Sequence, residues 1–210
     1  MCGRFLLESE VEDLVARYNA EYSLDVYKSG EIFPSENPIT VVSENNKNVL
    51  KVMKWGFPMR GSKKLIINAR SETALEKPMF KSSLLQRRCI IPANAFYEWK
   101  EDKGKKIKHR IGKNHADIFS IAGIYNIFKD ENTIYEASTI LTLNASGAMK
   151  SIHDRMPLIL DREEEELWLD HKSAITFVES ILKNPRAIDF AIKPLDLKSE
   201  YDLFDYLNGN

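Results

Sequence analysis

The chain begins Met1-Cys2-Gly3-Arg4. A small second residue invites removal of the initiator methionine, and the trimmed chain would open with a 1,2-aminothiol. Its α-amine, with a reference pKa of about 7.7–8.0, and its thiol, at about 8.5, would both be partly nucleophilic at neutral pH. Such a pair can attack one carbon twice. Its natural partner is an aldehyde: the amine forms an imine, the thiolate adds to the same carbon, and a five-membered thiazolidine closes. Cysteine at this position says little by itself, so the weight falls on the residues that would serve it.

Imine formation must expel water from a carbinolamine, which calls for an acid–base group. Glu98 lies among Phe96, Tyr97 and Trp99, and such surroundings desolvate a carboxylate and raise its pKa toward the range useful for proton transfer. His153, in Ile152-His153-Asp154-Arg155-Met156-Pro157, is a second acid–base candidate. Asn68, at an expected strand end, offers a donor and an acceptor for a carbonyl or hydroxyl. Arg70, two residues on, shares its face in an extended segment and suits a phosphate. Together these groups fit an aldehyde-bearing nucleotide. The four His and two Cys have no metal-ligand spacing, so neither a metal nor another cofactor is expected.

The elements that must position these groups are mostly strands. Ser9-Glu10-Val11-Glu12 reads as a capping box opening a helix through Val11, Leu14, Val15 and Tyr18. Pro34 and Pro38 bracket an extended segment over residues 32–37, and the β-rich runs 39–43 and 49–54 are expected to pair. The run ending at Asn68 should enter a helix at Ser71. A helix over 79–88 leads to a buried strand from Cys89, itself read as a core thiol. Residues 100–106, with Gly104, form a charged hairpin turn, and long strands follow at 119–125 and 134–143, the second alternating Tyr135, Ala137, Thr139 and Leu141 against a polar face. Asp161 and Glu164 mark another capping box, and a helix starts at Ser173. The expected fold is α+β, a single domain over 1–210 with a curved, mainly antiparallel, barrel-like β core and peripheral helices.

With 210 residues, 43% hydrophobic and 29% charged, the chain can bury a full core. There is no signal-like start and no membrane-spanning run, and two cysteines without framework spacing suit a reducing cytoplasm. The net charge of −1 hides an asymmetry: residues 46–110 hold 17 Lys/Arg against 5 Asp/Glu, and residues 161–210 hold 6 against 12. Interleaved with Trp55, Phe57, Phe80, Tyr97 and Trp99, the basic middle reads either as a groove tracking phosphates and stacking bases or as a solvated charged surface.

The ordered set Met1-Cys2-Gly3-Arg4, Pro34, Lys54-Trp55-Gly56-Phe57, residues 68–73 (NARSET), residues 92–99 (PANAFYEW) and residues 153–157 (HDRMP) resembles the SOS-response-associated peptidase (SRAP) family. The resemblance spans nearly the whole chain. It implies a β-rich fold that binds single-stranded DNA and crosslinks its mature N-terminal cysteine to the ring-opened sugar of an abasic site. By resemblance Cys2 is the nucleophile, Asn68 the positioning group, and Glu98 and His153 the acid–base groups. Arg4, Arg70 and Arg155 match phosphate-contacting positions; Pro34, Trp55 and Trp99 match positions near the DNA. The expected protein is a cytoplasmic monomer acting on single strands that contain abasic sites, with peptidase and lyase-type activities also implied by the family. Two other readings stand beside it: a thiol peptidase with a Cys2-His153-Asn68 arrangement, and a non-catalytic single-strand binding module.

Overall fold

Turn chemistry and burial together explain how the strands are joined. Between strands Ala95–Asp102 and Lys105–Lys113 the two loop residues, Lys103 and Gly104, have φ of 48° and 77°. Two successive positive φ values make the tight hairpin turn whose twist matches that of paired strands. In this computed structural model, which describes residues 2–22, 27–130 and 133–195, that hairpin sits in a five-stranded sheet. Its order is Phe190–Pro194, Lys105–Lys113, Ala95–Asp102, Phe5–Leu7 and Gly30–Ile32. Trimming of Met1 and the end of the acidic tail, residues 196–210, lie outside the described residues.

A ten-stranded sheet forms the other layer. Its main path runs Arg155–Pro157, Thr133–Asn144, Phe119–Asp130, Arg88–Ala93, Ile39–Glu44, Lys47–Val52 and Ala20–Tyr22. The strands expected to pair do so, with Ile39 opposite Val52 and Val41 opposite Leu50. Most pairings are antiparallel, but Lys54–Trp55 and Asn68–Arg70 add in parallel to the 133–144 strand. Neither sheet closes on itself among the described residues, so the barrel-like core expected from the sequence is instead two open sheets around a shared apolar interior. The class is α+β, with helices Val11–Tyr18, Pro78–Gln86, Arg162–Leu169 and Ile175–Lys183.

Several local expectations change. No side-chain cap stands at the first helix: Ser9 Oγ instead accepts from Asn94 Nδ2 at 3.0 Å. The box at Asp161 and Glu164 is formed in both directions. The helix expected at Ser71 is replaced by a series of turns, and the helix expected over 79–88 forms as Pro78–Gln86. The 32–37 segment is not extended, because Ser35 has φ 75° and Pro34–Ser35 form a turn. The 133–144 strand is buried on both faces from Ala137 to Leu143, so the alternation did not mark a solvent-facing side there.

Candidate active site

The N-terminal residues reach the site by strand pairing. Phe5 lies opposite Phe96 in antiparallel register, and the Tyr97 N–H donates to the Arg4 carbonyl at 2.9 Å. Beyond this pairing Cys2 lies near Glu98, whose charge acts on its thiol. Asn68 arrives from the other sheet, held by parallel pairing with Ile140. Its Nδ2 donates to the Cys2 carbonyl at 3.0 Å. Its buried Oδ1 makes no hydrogen bond, which leaves an acceptor available beside the N-terminal segment.

Cys2 is fully buried. Burial, and then the negative charge of Glu98, push its thiol far above the ordinary cysteine range, so it rests protonated and needs a base before it can attack. Glu98 is 3% exposed. Burial raises its carboxyl above the usual carboxylate range. The His153 Nε2 lies 3.9 Å from Glu98 Oε2. The backbone N–H of Arg155 donates to His153 Nδ1 at 2.9 Å, so the neutral ring carries its proton on Nε2, facing Glu98. Four residues from four segments, Cys2, Asn68, Glu98 and His153, therefore meet at one place.

The buried carboxyl has a consequence for stability. Its folded-state pKa lies above the unfolded value, so protonation favours the native state. That stabilisation is complete below the unfolded pKa and is lost as pH rises through the folded one. Above it the native protein bears the cost of a desolvated charge. Glu98→Gln mimics the neutral form and should melt higher than wild type at pH 7.5, by about 2–4 °C for each kcal/mol relieved, with the gap closing near pH 4. Calorimetry at the two pH values checks this; a lower melting temperature for the variant at pH 7.5 contradicts it.

The remaining predicted residues divide. Arg70 is exposed on the strand that carries Asn68, and Pro34 is half-buried in its turn. Arg4 packs with Cζ 4.3 Å from the Phe33 ring centre and 4.9 Å from that of Trp99. Its Nη1 lies 3.1 Å from Glu31 Oε1. Trp55, expected at the DNA, is a core residue: it is 1% exposed, its Nε1 donates to the Ile67 carbonyl at 3.1 Å, and it packs edge-on to Phe5. It offers no face to a base. The adjoining Gly56, at φ 121° with room for no Cβ beside Leu65, turns the chain sharply here.

Arg155 is also differently used. Its guanidinium donates to both Glu72 carboxylate oxygens (2.6 and 2.9 Å), to Asn144 Oδ1 (2.6 Å) and to the Thr142 carbonyl (2.7 Å). With both Nη groups so engaged and its Nε buried without a hydrogen-bond partner, it braces the segment that presents His153 rather than offering an open fork to a phosphate. Several residues of the basic middle are likewise internal. Phe57, Phe80 and Tyr97 are buried. Arg88, 1% exposed, donates to the carbonyls of Leu84, Leu85, Trp168 and Asp170, joining the ends of two helices. Residues the sequence did not single out complete the surroundings: Glu31 and Phe33 against Arg4, Lys108 bound to Glu31 at 2.9 Å, and Glu72 on Arg155. The one signal for the first two was their i, i+2 spacing beside Pro34.

Among the described residues, no group of three or more His, Cys, Asp or Glu is placed to hold a metal ion. Nor, among the described residues, is any helix long and apolar enough to cross a membrane.

The chain is similar to several known proteins. The family model described as SOS response associated peptidase (SRAP) matches residues 1–197. The abasic site processing protein YoqW of Bacillus subtilis is 38% identical over 195 residues, covering 87% of each chain. The abasic site processing protein YedK of Escherichia coli is 30% identical over 176 residues, covering 80% of this chain and 79% of its own. A crystal structure of a protein from Bacteroides thetaiotaomicron shares the fold, with a TM-score of 0.81 and 22% identity, covering 100% of this chain and 95% of that one.

Proposed function

The chain belongs to the SRAP family, and from that premise we propose that it processes abasic sites in DNA by covalent capture at Cys2. The observation that carries this reading is the convergence of Cys2 with the buried Glu98, His153 and Asn68. After loss of Met1 the Cys2 amine adds to the aldehyde carbon of the ring-opened sugar, and a proton shift gives the carbinolamine. Glu98 donates its proton to the departing hydroxyl, water leaves, and an iminium remains. The Cys2 thiol then gives its proton to the Glu98 carboxylate as sulfur bonds to the same carbon and the iminium electrons return to nitrogen. One water is released and Glu98 ends protonated, as it began.

Asn68 suits a positioning role, with Nδ2 fixing the Cys2 carbonyl and Oδ1 available to the new amine. His153 tunes and relays protons at Glu98. Arg4 and Arg70 meet phosphates, with Trp99 and Pro34 beside the strand, and the substrate is single-stranded DNA handled by a cytoplasmic monomer. The peptidase reading has less support: a Cys-His-Asn relay needs the amide behind the imidazole, whereas Asn68 is on the Cys2 main chain and His153 faces Glu98.

Intact mass spectrometry tests the proposal. The active protein should lack Met1, and mixing with an aldehydic abasic oligonucleotide should give the summed masses less one water. A fully active preparation that retains Met1 would falsify the thiazolidine route.

A further inference from the structure

Beside Arg4 an aromatic ring faces solvent and has no part in the chemistry above. Phe33 is 39% exposed, although large apolar side chains at such a position ordinarily turn inward. Its ring centre lies 4.3 Å from Arg4 Cζ, and Trp99 covers the same guanidinium at 4.9 Å. A planar cation between two rings is a favourable stack. The stack is held from two sides. Glu31 pairs with Arg4 at 3.1 Å and with the buried Lys108 at 2.9 Å, and the Lys108 ammonium sits 4.2 Å from the Tyr97 ring centre. Beneath Phe33 the turn is pinned: Phe33 N–H donates to Glu36 Oε2 at 2.8 Å, Ser35 N–H to the Trp55 carbonyl at 2.9 Å, and Trp55 N–H to the Glu36 carbonyl at 2.8 Å. Trp55 thus serves the site from inside the core, as the anchor of this turn.

We propose that Phe33 is a base-stacking residue, receiving on its exposed ring the unpaired nucleobase that flanks the captured abasic nucleotide while Arg4 meets the adjoining phosphate. This rests on the abasic-site reading and names the feature of the strand, a neighbouring unpaired base, that the site recognises. Three observations support it. The ring is preorganised, so little side-chain freedom is lost on stacking. It is coupled to a cation suited to a phosphate, the pairing of charge and aromatic face that single-strand sites use. Its neighbour Arg4 is two residues from Cys2, at most about 7 Å of extended chain, which sets the ring within a nucleotide's reach of the nucleophile. A base in a duplex has both faces covered and cannot use the ring.

Non-covalent binding separates this from the chemistry at Cys2. The probes are single-stranded oligonucleotides with a tetrahydrofuran abasic analogue, which has no aldehyde, and with the flanking bases either present or themselves replaced by tetrahydrofuran. Phe33→Ala should weaken binding about 5- to 100-fold when flanking bases are present, the range typical of a lost base–aromatic stack, and hardly at all when they are absent. Phe33→Trp should keep the affinity and Phe33→Leu should lose it as the alanine variant does. The slope of log affinity against log salt should be unchanged in Phe33→Ala. If the ring merely propped Arg4, the slope would shrink by about 0.7, the contribution of one phosphate on a single strand. Equal losses with and without flanking bases, or a shallower slope, overturn the proposal. Failure of the wild-type protein to crosslink aldehydic DNA would count against the proposed function instead, and the two outcomes are read in separate experiments.

Discussion

Cys2→Ser is expected to convert a stable crosslink into a transient one. The variant keeps the α-amine once Met1 is removed, so the aldehyde can still form an imine, but a hydroxyl is a far weaker second nucleophile than sulfur and the ring should not close. After denaturation and heating, wild type should remain attached to an abasic oligonucleotide while Cys2→Ser releases it. Addition of borohydride before denaturation should restore an adduct, because reduction fixes the carbon–nitrogen bond that the missing thiol would have protected. Cys2→Ala should behave in the same way, since it too retains the amine. Non-covalent affinity for an intact strand should change little in either variant, because such a strand offers no aldehyde to react and serine and alanine are close to cysteine in size. A heat-stable adduct from Cys2→Ser without borohydride would remove sulfur from the mechanism, and the amine alone would have to account for capture.

How much of this was legible in advance depends on whether a residue's role is local. Glu98 could be read only in part: of its neighbours on the strand, Phe96 shares its face, whereas Tyr97 and Trp99 pack with Leu6 and Ala95 on the other, so its burial comes from how that face packs and not from three adjacent rings. The Asp161 capping box and the Lys103-Gly104 turn are local, and both form. Trp55 shows the opposite case. An aromatic residue in a basic stretch looks the same whether it faces DNA or the core; what decides is parallel pairing with a strand more than eighty residues away, Ser138 opposite Trp55. Arg155 and Glu72 are separated by 83 residues, so the carboxylate that occupies the arginine could not be seen from either motif. The barrel-like expectation failed for a related reason: edge pairing is a property of the assembled sheets, and no strand announces which of its edges is left open.

The second large effect concerns Glu98. Glu98→Gln keeps both nucleophiles at Cys2 and nearly the same side-chain shape, and removes only the proton. Expulsion of water from the carbinolamine then lacks its acid, and the buried thiol lacks the base that would accept its proton before sulfur attacks. The product should be the same thiazolidine, formed more slowly by up to about 10²–10⁴-fold, the usual contribution of a general acid–base group. The lower part of that range is the better expectation, because amine and thiol react with aldehydes unaided. The pH profile gives a further check. Rising pH frees the amine and speeds the first addition. The raised pKa keeps Glu98 protonated to higher pH than an ordinary carboxyl, and once pH passes that pKa the acid form, and with it the dehydration rate, falls. Wild type should therefore show a rising and a falling limb, and Glu98→Gln should lose the falling one. Single-turnover crosslinking measured from pH 5 to pH 9 reports both features. A variant that crosslinks at the wild-type rate with the same profile would leave Glu98 a structural carboxyl and pass the proton transfers to His153, whose Nε2 already faces the same place.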